Sequence, residues 1–180
     1  NILRMQNEFI DKKTGTSKIS NVRIEINGLH NIEKYCKNNS LETLNPVFEQ
    51  KNRAYDDKKP ILPVFRDNYK IKLDYQKEKT IYENSRFATS IKESWNDSKK
   101  SFRLINRVTL VHENYPFKID ISIIKESSKI ANSKNPNRKI YELFYTFQEA
   151  DILNQPEKYD IEIECINQKV GIGTDYEDYN

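Results

Sequence analysis

Alternation of apolar and polar residues recurs along the second half of the chain and constrains the fold more than any other pattern. The segments F-R-L-I-N-R-V-T-L-V, F-K-I-D-I-S-I-I-K and Y-D-I-E-I-E-C follow it from residues 102, 117 and 159. An earlier segment, V-R-I-E-I-N, follows it from residue 22. Because successive side chains of a strand point to opposite faces of a sheet, a period of two predicts strands rather than helices.

Other segments complete the expected architecture. Residues 29–39 place apolar side chains at helical spacing and predict a short amphipathic helix. Residues 112–116, H-E-N-Y-P, predict a hairpin turn, and residues 80–90 and 139–147 are interpreted as further strands, with a loop at 128–138. About seven alternating strands with few helices predict an α+β fold that is mainly an antiparallel sheet or barrel.

The expected organisation is one folded domain with two less ordered ends. A chain of 180 residues is long enough for a single domain with its own core. Residues 1–19 are polar and predict a flexible N-terminal segment, residues 20–168 carry the strand patterns, and residues 169–180 form an acidic tail or linker.

Composition excludes several classes of protein. The net charge of +3 comes from mixed charges and argues against a general nucleic-acid coat. Two cysteines far apart and two histidines give little support to a disulfide scaffold, a zinc site or a Cys/His dyad, and favour an intracellular, reducing compartment. The sequence has no apolar run near the ~18 residues of a membrane span, so no membrane partner is expected.

Charged side chains line one face of several predicted strands. They are Arg23 and Glu25; Lys70, Lys72 and Asp74; Arg103 and Arg107; Lys118 and Asp120; and Glu162 and Glu164. An ordinary solvent-exposed sheet face would explain them, and this is the usual situation. The alternative is a barrel whose charged faces point inward, where acids and bases must pair or bind ions. Glutamates surrounded by arginine and lysine suit a divalent metal ion with a polyphosphate.

Three motifs, in this order, carry a resemblance to a known family. F-R-L-I-N-R-V-T-L, F-K-I-D-I-S-I-I-K and Y-D-I-E-I-E-C together resemble the RNA triphosphatase domain of mRNA capping enzymes from large DNA viruses, such as mimivirus, poxviruses and African swine fever virus. These domains belong to the triphosphate tunnel metalloenzyme family. The resemblance implies a closed eight-stranded antiparallel barrel with a few flanking helices, an interior lined by charges, and metal-binding E-x-E pairs on the first and last strands.

Individual residues match the motifs of that family. Glu162 and Glu164 match the last-strand pair, and Glu25 falls where the first-strand pair belongs, with Arg23 in place of its other glutamate. The resemblance implies that Glu25, Glu162 and Glu164 hold one Mn²⁺ or Mg²⁺. The implied phosphate-binding residues are Lys70, Lys72, Arg103, Arg107 and Lys118. The implied catalytic residues are Glu25, Arg103, Arg107, Lys118, Asp120, Glu162 and Glu164, with Asp120 or a metal-bound glutamate orienting water.

The function implied by the resemblance is removal of the γ-phosphate of 5′-triphosphate RNA, the first step of mRNA capping. RNA and NTPs would be the substrates, and guanylyltransferase and methyltransferase modules would be linked to the domain in a viral protein of the host cytoplasm or the virion. Two alternatives stay open. The tunnel could act on small triphosphates, or the domain could be a non-catalytic β-barrel that binds RNA or protein.

Overall fold

The computed structural model describes residues 1–53, 63–66, 69–72, 76–132 and 135–166. The strands are β1 (Ile2–Ile10), β2 (Ser17–Ile19), β3 (Val22–Asn27), β4 (Val47–Arg53), β5 (Pro63–Arg66), β6 (Tyr69–Lys72), β7 (Gln76–Ile81), β8 (Lys100–Val111), β9 (Phe117–Glu126), β10 (Lys129–Asn132), β11 (Asn135–Tyr141) and β12 (Lys158–Cys165). The helices are α1 (Leu29–Asn38) and α2 (Arg86–Glu93), and a 3₁₀ turn spans Ile152–Asn154.

A single antiparallel sheet dominates the described residues. Its strands lie in the order β12-β9-β8-β1-β3-β4-β7, and β2 pairs with β1 beside this path. The sheet curls into a half-barrel. Among the described residues its two edges, β12 and β7, are not hydrogen-bonded to each other, so the mainly antiparallel α+β fold is confirmed but a closed eight-stranded barrel is not seen there.

The apolar face of this sheet packs against the helices. The expectation that Val22, Ile24 and Ile26 point into a core is confirmed, since each is at most 2% exposed. The core also contains Leu3, Met5, Ile32, Tyr35, Phe48, Ile91, Trp95, Phe102 and Phe147. Tyr35, Trp95, Phe102 and Phe147 meet edge-on or tilted, which adds to the stabilisation from burying large rings.

The helices cover only part of the apolar face. Beyond the core, the apolar side chains of β8, β9 and β12 remain accessible: Val108, Leu110, Ile119, Ile121, Ile123, Ile161 and Ile163. Ile119 is 37% exposed and Ile163 is 68% exposed. The period of two therefore predicted which side chains share a face, but a shared apolar face is not everywhere a buried one.

Local signals fix the two helices. Gly28 precedes α1 with a φ of 87°, a left-handed value that glycine adopts without strain, and Asn39 ends the helix with a φ of 50°. The helix expected at 29–39 is thus confirmed. Ser85 begins α2, and its side chain accepts a 3.3 Å hydrogen bond from the backbone nitrogen of Ala88. Neither helix in the described residues is long and apolar enough to cross a membrane.

Several expectations about secondary structure were wrong. Residues 1–19 are not a flexible segment, because β1 lies between β3 and β8 and buries Leu3 and Met5. Residues 80–90 do not form one strand, since β7 ends at Ile81 and the Ser85 cap starts α2. The loop expected at 128–138 contains β10 and part of β11, which ends at Tyr141, well before residue 147. The acidic tail at 169–180 lies outside the described residues.

Candidate metal and phosphate site

The opposite face of the sheet is charged, and its residues meet through strand register. Arg4 is the partner of Glu25 on β3 and of Arg103 on β8. Further along the same face, Asp120 of β9 lies between Thr109 of β8 and Glu162 of β12. We call this surface the charged face. It is the polar side of the alternation that predicted the strands.

Three acids from two neighbouring strands form a carboxylate cluster: Asp120, Glu162 and Glu164. One oxygen of each lies within 4.8 Å of the others. Asp120 is only 1% exposed, whereas Glu162 and Glu164 are 41% and 39% exposed. The cluster thus has a buried base and a side that solvent reaches.

Arg107 of β8 bonds two acids of the carboxylate cluster. Its Nη1 donates to Oδ2 of Asp120 at 3.0 Å, and its Nη2 donates to Oε2 of Glu162 at 2.7 Å. Its Nε donates to the hydroxyl of Ser122 at 2.9 Å. The hydroxyl of Thr109 donates to the other oxygen of Asp120 at 2.5 Å. The buried acid is therefore satisfied on both oxygens, as its burial requires.

Lys118 supplies the second cation. Its Nζ lies 2.8 Å from Oε2 of Glu164 and 3.8 Å from Oδ2 of Asp120. The hydrogen bond to Glu164 raises the pKa of Lys118, against the opposing effect of burial. Lys118 therefore carries a positive charge at neutral pH. With Arg107 and Lys118 against the carboxylate cluster, one negative charge remains among these five groups.

These residues fit a divalent metal ion. Carboxylate oxygens are the hard ligands that Mg²⁺ and Mn²⁺ prefer, and the remaining negative charge favours a cation. In the described part of the chain, the hydrogen bonds to Glu162 and Glu164 reach only their Oε2 atoms. Their Oε1 atoms are therefore available to an ion on the exposed side.

The structure groups five of the residues singled out from sequence and separates others from them. Ion pairs and short distances between carboxylates bring together Arg107, Lys118, Asp120, Glu162 and Glu164. Glu25 is on β3, separated from β12 by β9, β8 and β1, and it accepts a 2.5 Å hydrogen bond from Nε of Arg4. Asp120 occupies the third place in the cluster that the resemblance gave to Glu25.

Arg103 lies in different surroundings from Arg107. Its Nε is 3.2 Å from Oε2 of Glu126, at the other end of β9 from the carboxylate cluster. Lys70 and Lys72 fall on β6, which pairs with β5 in a separate small sheet, and Asp74 lies outside the described residues.

Glu126 is the centre of a second charged group, which was not predicted from the sequence. Burial by itself would raise its pKa, but bonds from Lys158, Tyr141 and Lys129 lower it to about 2. The group combines residues of β9, β10, β11 and β12, so it depends on long-range pairing. The signal that the sequence did contain was position, because Glu126 continues the charged side of F-K-I-D-I-S-I-I-K-E.

Comparisons with protein-family models, with curated proteins and with solved structures find no match to this chain.

Proposed function

We propose that this domain is a metal-dependent polynucleotide 5′-triphosphatase, which hydrolyses the γ-phosphate of 5′-triphosphate RNA and leaves a 5′-diphosphate end. The observation that carries the proposal is the carboxylate cluster with Arg107 and Lys118 bonded to it on one charged face. Acids that bind a metal and cations that bind phosphate are the two parts that such a reaction needs.

Asp120, Glu162 and Glu164 would hold one Mn²⁺ or Mg²⁺. When bound, that ion would withdraw charge from the phosphate oxygens and favour attack by water. Besides serving as a ligand, the nearly inaccessible Asp120 would fix Arg107 and Thr109 and close the base of the site. The half-exposed Glu162 and Glu164 are the acids that solvent reaches, and we assign the orientation of water to one of them.

Arg107 and Lys118 would bind the phosphate oxygens. A guanidinium has five N–H donors, and Arg107 uses three of them in bonds to Ser122, Asp120 and Glu162. Two donors remain for the substrate. Lys118 is 35% exposed and uses one bond on Glu164, so its ammonium also has donors to offer. Fixed cations of this kind stabilise charge that develops on the transferred phosphoryl group.

The closed tunnel, the capping modules and the NTP substrates expected from the resemblance belong to the same proposal. A tunnel would require the gap between the edge strands β12 and β7 to be closed and the charged face to line the inside of the curled sheet. Capping would place the domain with guanylyltransferase and methyltransferase modules in a viral protein of the host cytoplasm or the virion. NTPs would be secondary substrates because they carry the same triphosphate group.

The experiment measures phosphate release from 5′-triphosphate RNA, from ATP and from inorganic triphosphate, each with Mn²⁺, Mg²⁺ or EDTA. We expect release from RNA that needs a metal. Glu162→Gln and Glu164→Gln should each lower the rate by about 100-fold or more, as loss of a group that acts in the transition state does. The matched control is Asp160→Asn, which removes an acid from the same face of β12 outside the cluster.

Three results would count against the proposal. Wild-type rates in both glutamine variants would exclude the carboxylate cluster as the site of reaction. Release from inorganic triphosphate or ATP without release from RNA would favour a hydrolase of small triphosphates. No release from any substrate with either metal would favour a binding domain.

A further inference from the structure

A small cavity opens on the charged face, away from the carboxylate cluster. Its volume is about 120 Å³. Its polar lining comes from β1, β3, β8 and β11: Arg4, Gln6, Arg23, Ser101, Arg103 and Tyr141. We call it the arginine pocket. At ~30 Å³ for each water in the liquid, the pocket holds about four water volumes, which suits one phosphate group and is too small for a nucleotide.

The arginines of the pocket are only partly neutralised. Arg4 bonds Glu25, and among the described residues the nearest carboxylate to Arg23 is Glu78 at 3.9 Å, which is already 2.9 Å from Lys51. Glu49 and Glu25 also act on Arg23, without forming an ion pair with it. Burial lowers the pKa of Arg23, and the positive charge of Arg4 lowers it further. These two guanidiniums therefore repel each other across the pocket.

Arg103 also has few hydrogen-bond acceptors of its own. Its Nε is buried and makes no hydrogen bond within the described residues. Glu126, the acid beside it, is shared with Lys129 and Lys158. An anion in the pocket would add a negative charge beside Arg103, which lines it, and would relieve the repulsion between Arg4 and Arg23.

We propose that the arginine pocket binds a backbone phosphate of single-stranded RNA, downstream of the triphosphate end. The guanidinium fork matches phosphate oxygens, and three arginines line a space of the size of one such group. The direction of the RNA chain in this proposal rests on the proposed function, because the carboxylate cluster would hold the 5′ end. It also gives Arg23 a role, at the position where the resemblance predicted a glutamate.

The distance along β8 selects RNA over a free nucleotide. Arg103 lines the pocket and Arg107 bonds the carboxylate cluster, and four residues of strand span ~13 Å. That separation exceeds the length of a triphosphate group, so one NTP cannot reach both places. A nucleic-acid chain carries successive phosphates and can.

The test uses an oligoribonucleotide with a 5′-hydroxyl and a 3′ fluorophore, in EDTA, so that neither the metal nor the triphosphate contributes. Fluorescence anisotropy measures its affinity for the wild-type domain and for Arg23→Gln. We expect about tenfold weaker binding by the variant, as for the loss of one charge-assisted contact, and a salt slope lower by ~0.7. The control is Lys51→Gln, which removes a cation that shares Glu78 with Arg23 but does not line the pocket.

A second variant covers the case in which Arg23→Gln disturbs the fold. Arg103→Lys keeps the charge but loses the fork, and we expect several-fold weaker binding with an unchanged salt slope. Equal affinities for wild type, Arg23→Gln and Arg103→Lys would overturn the proposal. Failure of the wild-type domain to bind the oligoribonucleotide would overturn it too.

Kinetic measurements show whether the phosphate in the pocket belongs to RNA or to a small anion. They also test this proposal independently of the proposed function. With triphosphate-ended RNA, Arg23→Gln should raise KM about tenfold at unchanged kcat, and hydrolysis of ATP should not change. An equal loss with ATP, or a loss of inhibition by inorganic phosphate alone, would assign the pocket to small anions and overturn the RNA assignment. If no substrate is hydrolysed but oligoribonucleotide binding still depends on Arg23, the pocket proposal holds and the triphosphatase proposal fails.

Discussion

Arg107 and Glu162 are 55 residues apart in the sequence, yet Nη2 of Arg107 donates a 2.7 Å hydrogen bond to Oε2 of Glu162. The same guanidinium bonds Asp120, whose side chain is 1% exposed. Arg107 thus holds together acids of β9 and β12 that would otherwise repel each other. A buried carboxylate without a cation is costly, so this corner of the sheet depends on a positive charge at the cluster.

Replacement of Arg107 should make stability depend on metal. Arg107→Gln leaves Asp120 and Glu162 without their shared cation, and we expect the free energy of unfolding in EDTA to fall by ~1–3 kcal/mol. Mn²⁺ should restore most of this loss, because an ion in the carboxylate cluster replaces the missing charge and binds only the folded state. Urea unfolding with and without Mn²⁺ measures both effects.

Arg107→Lys is the matched control for that experiment. A lysine keeps the charge but cannot contact both acids through a fork, so a smaller loss is expected. If Mn²⁺ stabilises Arg107→Gln no more than it stabilises the wild-type domain, the carboxylate cluster is not a metal site.

Metal affinity should follow the carboxylate cluster rather than the assignment made from the resemblance. Calorimetric titration with Mn²⁺ should show at least tenfold weaker binding for Asp120→Asn, since a buried ligand of the cluster is lost. Glu25→Gln should bind Mn²⁺ as the wild-type domain does, because Glu25 bonds Arg4 across the sheet from the cluster.

Asp160→Asn serves as the control for a general loss of acidity near β12, and it should also leave Mn²⁺ affinity unchanged. The reverse ranking, with Glu25→Gln weakened and Asp120→Asn unaffected, would restore the metal set of Glu25, Glu162 and Glu164. It would also mean that the described strand order does not govern the site.

The sequence predicted local faces well because alternation is a local property. Val22, Ile24 and Ile26 share the buried face as expected. The segment I-L-R-M-Q-N-E-F-I alternates too, but its polar residues suggest a flexible end. Arg4 and Gln6 lie on the charged face, and the alternate Leu3 and Met5 are buried in the core. A central strand with one charged face looks unstructured when overall polarity is weighed before periodicity.

The site was predictable only as far as neighbouring strands allow. Lys118 and Asp120 share a face two residues apart, as do Glu162 and Glu164, so each pair follows from a single strand. Which pairs meet depends on strand order and register, which come from long-range packing. Glu25 fitted the expected motif but lies three strands from β9, and only the topology reveals this.

Glu126 should contribute to acid stability. Its pKa is about 2 in the folded protein against an ordinary value of 4.5, so the folded state favours the charged form. The stabilisation is fully present above about pH 4.5 and is lost as the pH falls towards 2. We expect wild type to exceed Glu126→Gln in free energy of unfolding by at most about 3 kcal/mol at pH 7, with the difference shrinking to near zero at pH 2.

The measurement is urea unfolding of both proteins between pH 2 and pH 7. Glu157→Gln is the control, because Glu157 is 46% exposed and its ion pair with Lys125 is long, at 4.0 Å. A difference between wild type and Glu126→Gln that stays constant over this range would mean that Glu126 is not held charged by Lys158, Tyr141 and Lys129.

Lys100 should make stability depend on pH in the alkaline range. Its side chain is 0% exposed, and Nζ donates to the carbonyl oxygens of Trp95 and Ser98 at 2.6 and 2.8 Å. Burial lowers the pKa of Lys100 to about 8, although Glu149, Asp97 and Glu8 oppose the shift. Between about pH 8 and 10.5 the unfolded chain therefore binds more protons at this residue than the folded chain does.

Stability should accordingly rise with pH across that window. Relative to Lys100→Met, the free energy of unfolding of the wild-type domain should be flat below about pH 8 and rise by up to about 3 kcal/mol by pH 10.5. The comparison with the methionine variant removes the effect of Tyr35 and Tyr141, whose raised pKa values lower stability at the alkaline end. Guanidinium unfolding of wild type, Lys100→Met and the neighbouring Lys99→Met as a charge control gives the measurement. Parallel curves for wild type and Lys100→Met would show that the buried ammonium keeps its proton throughout.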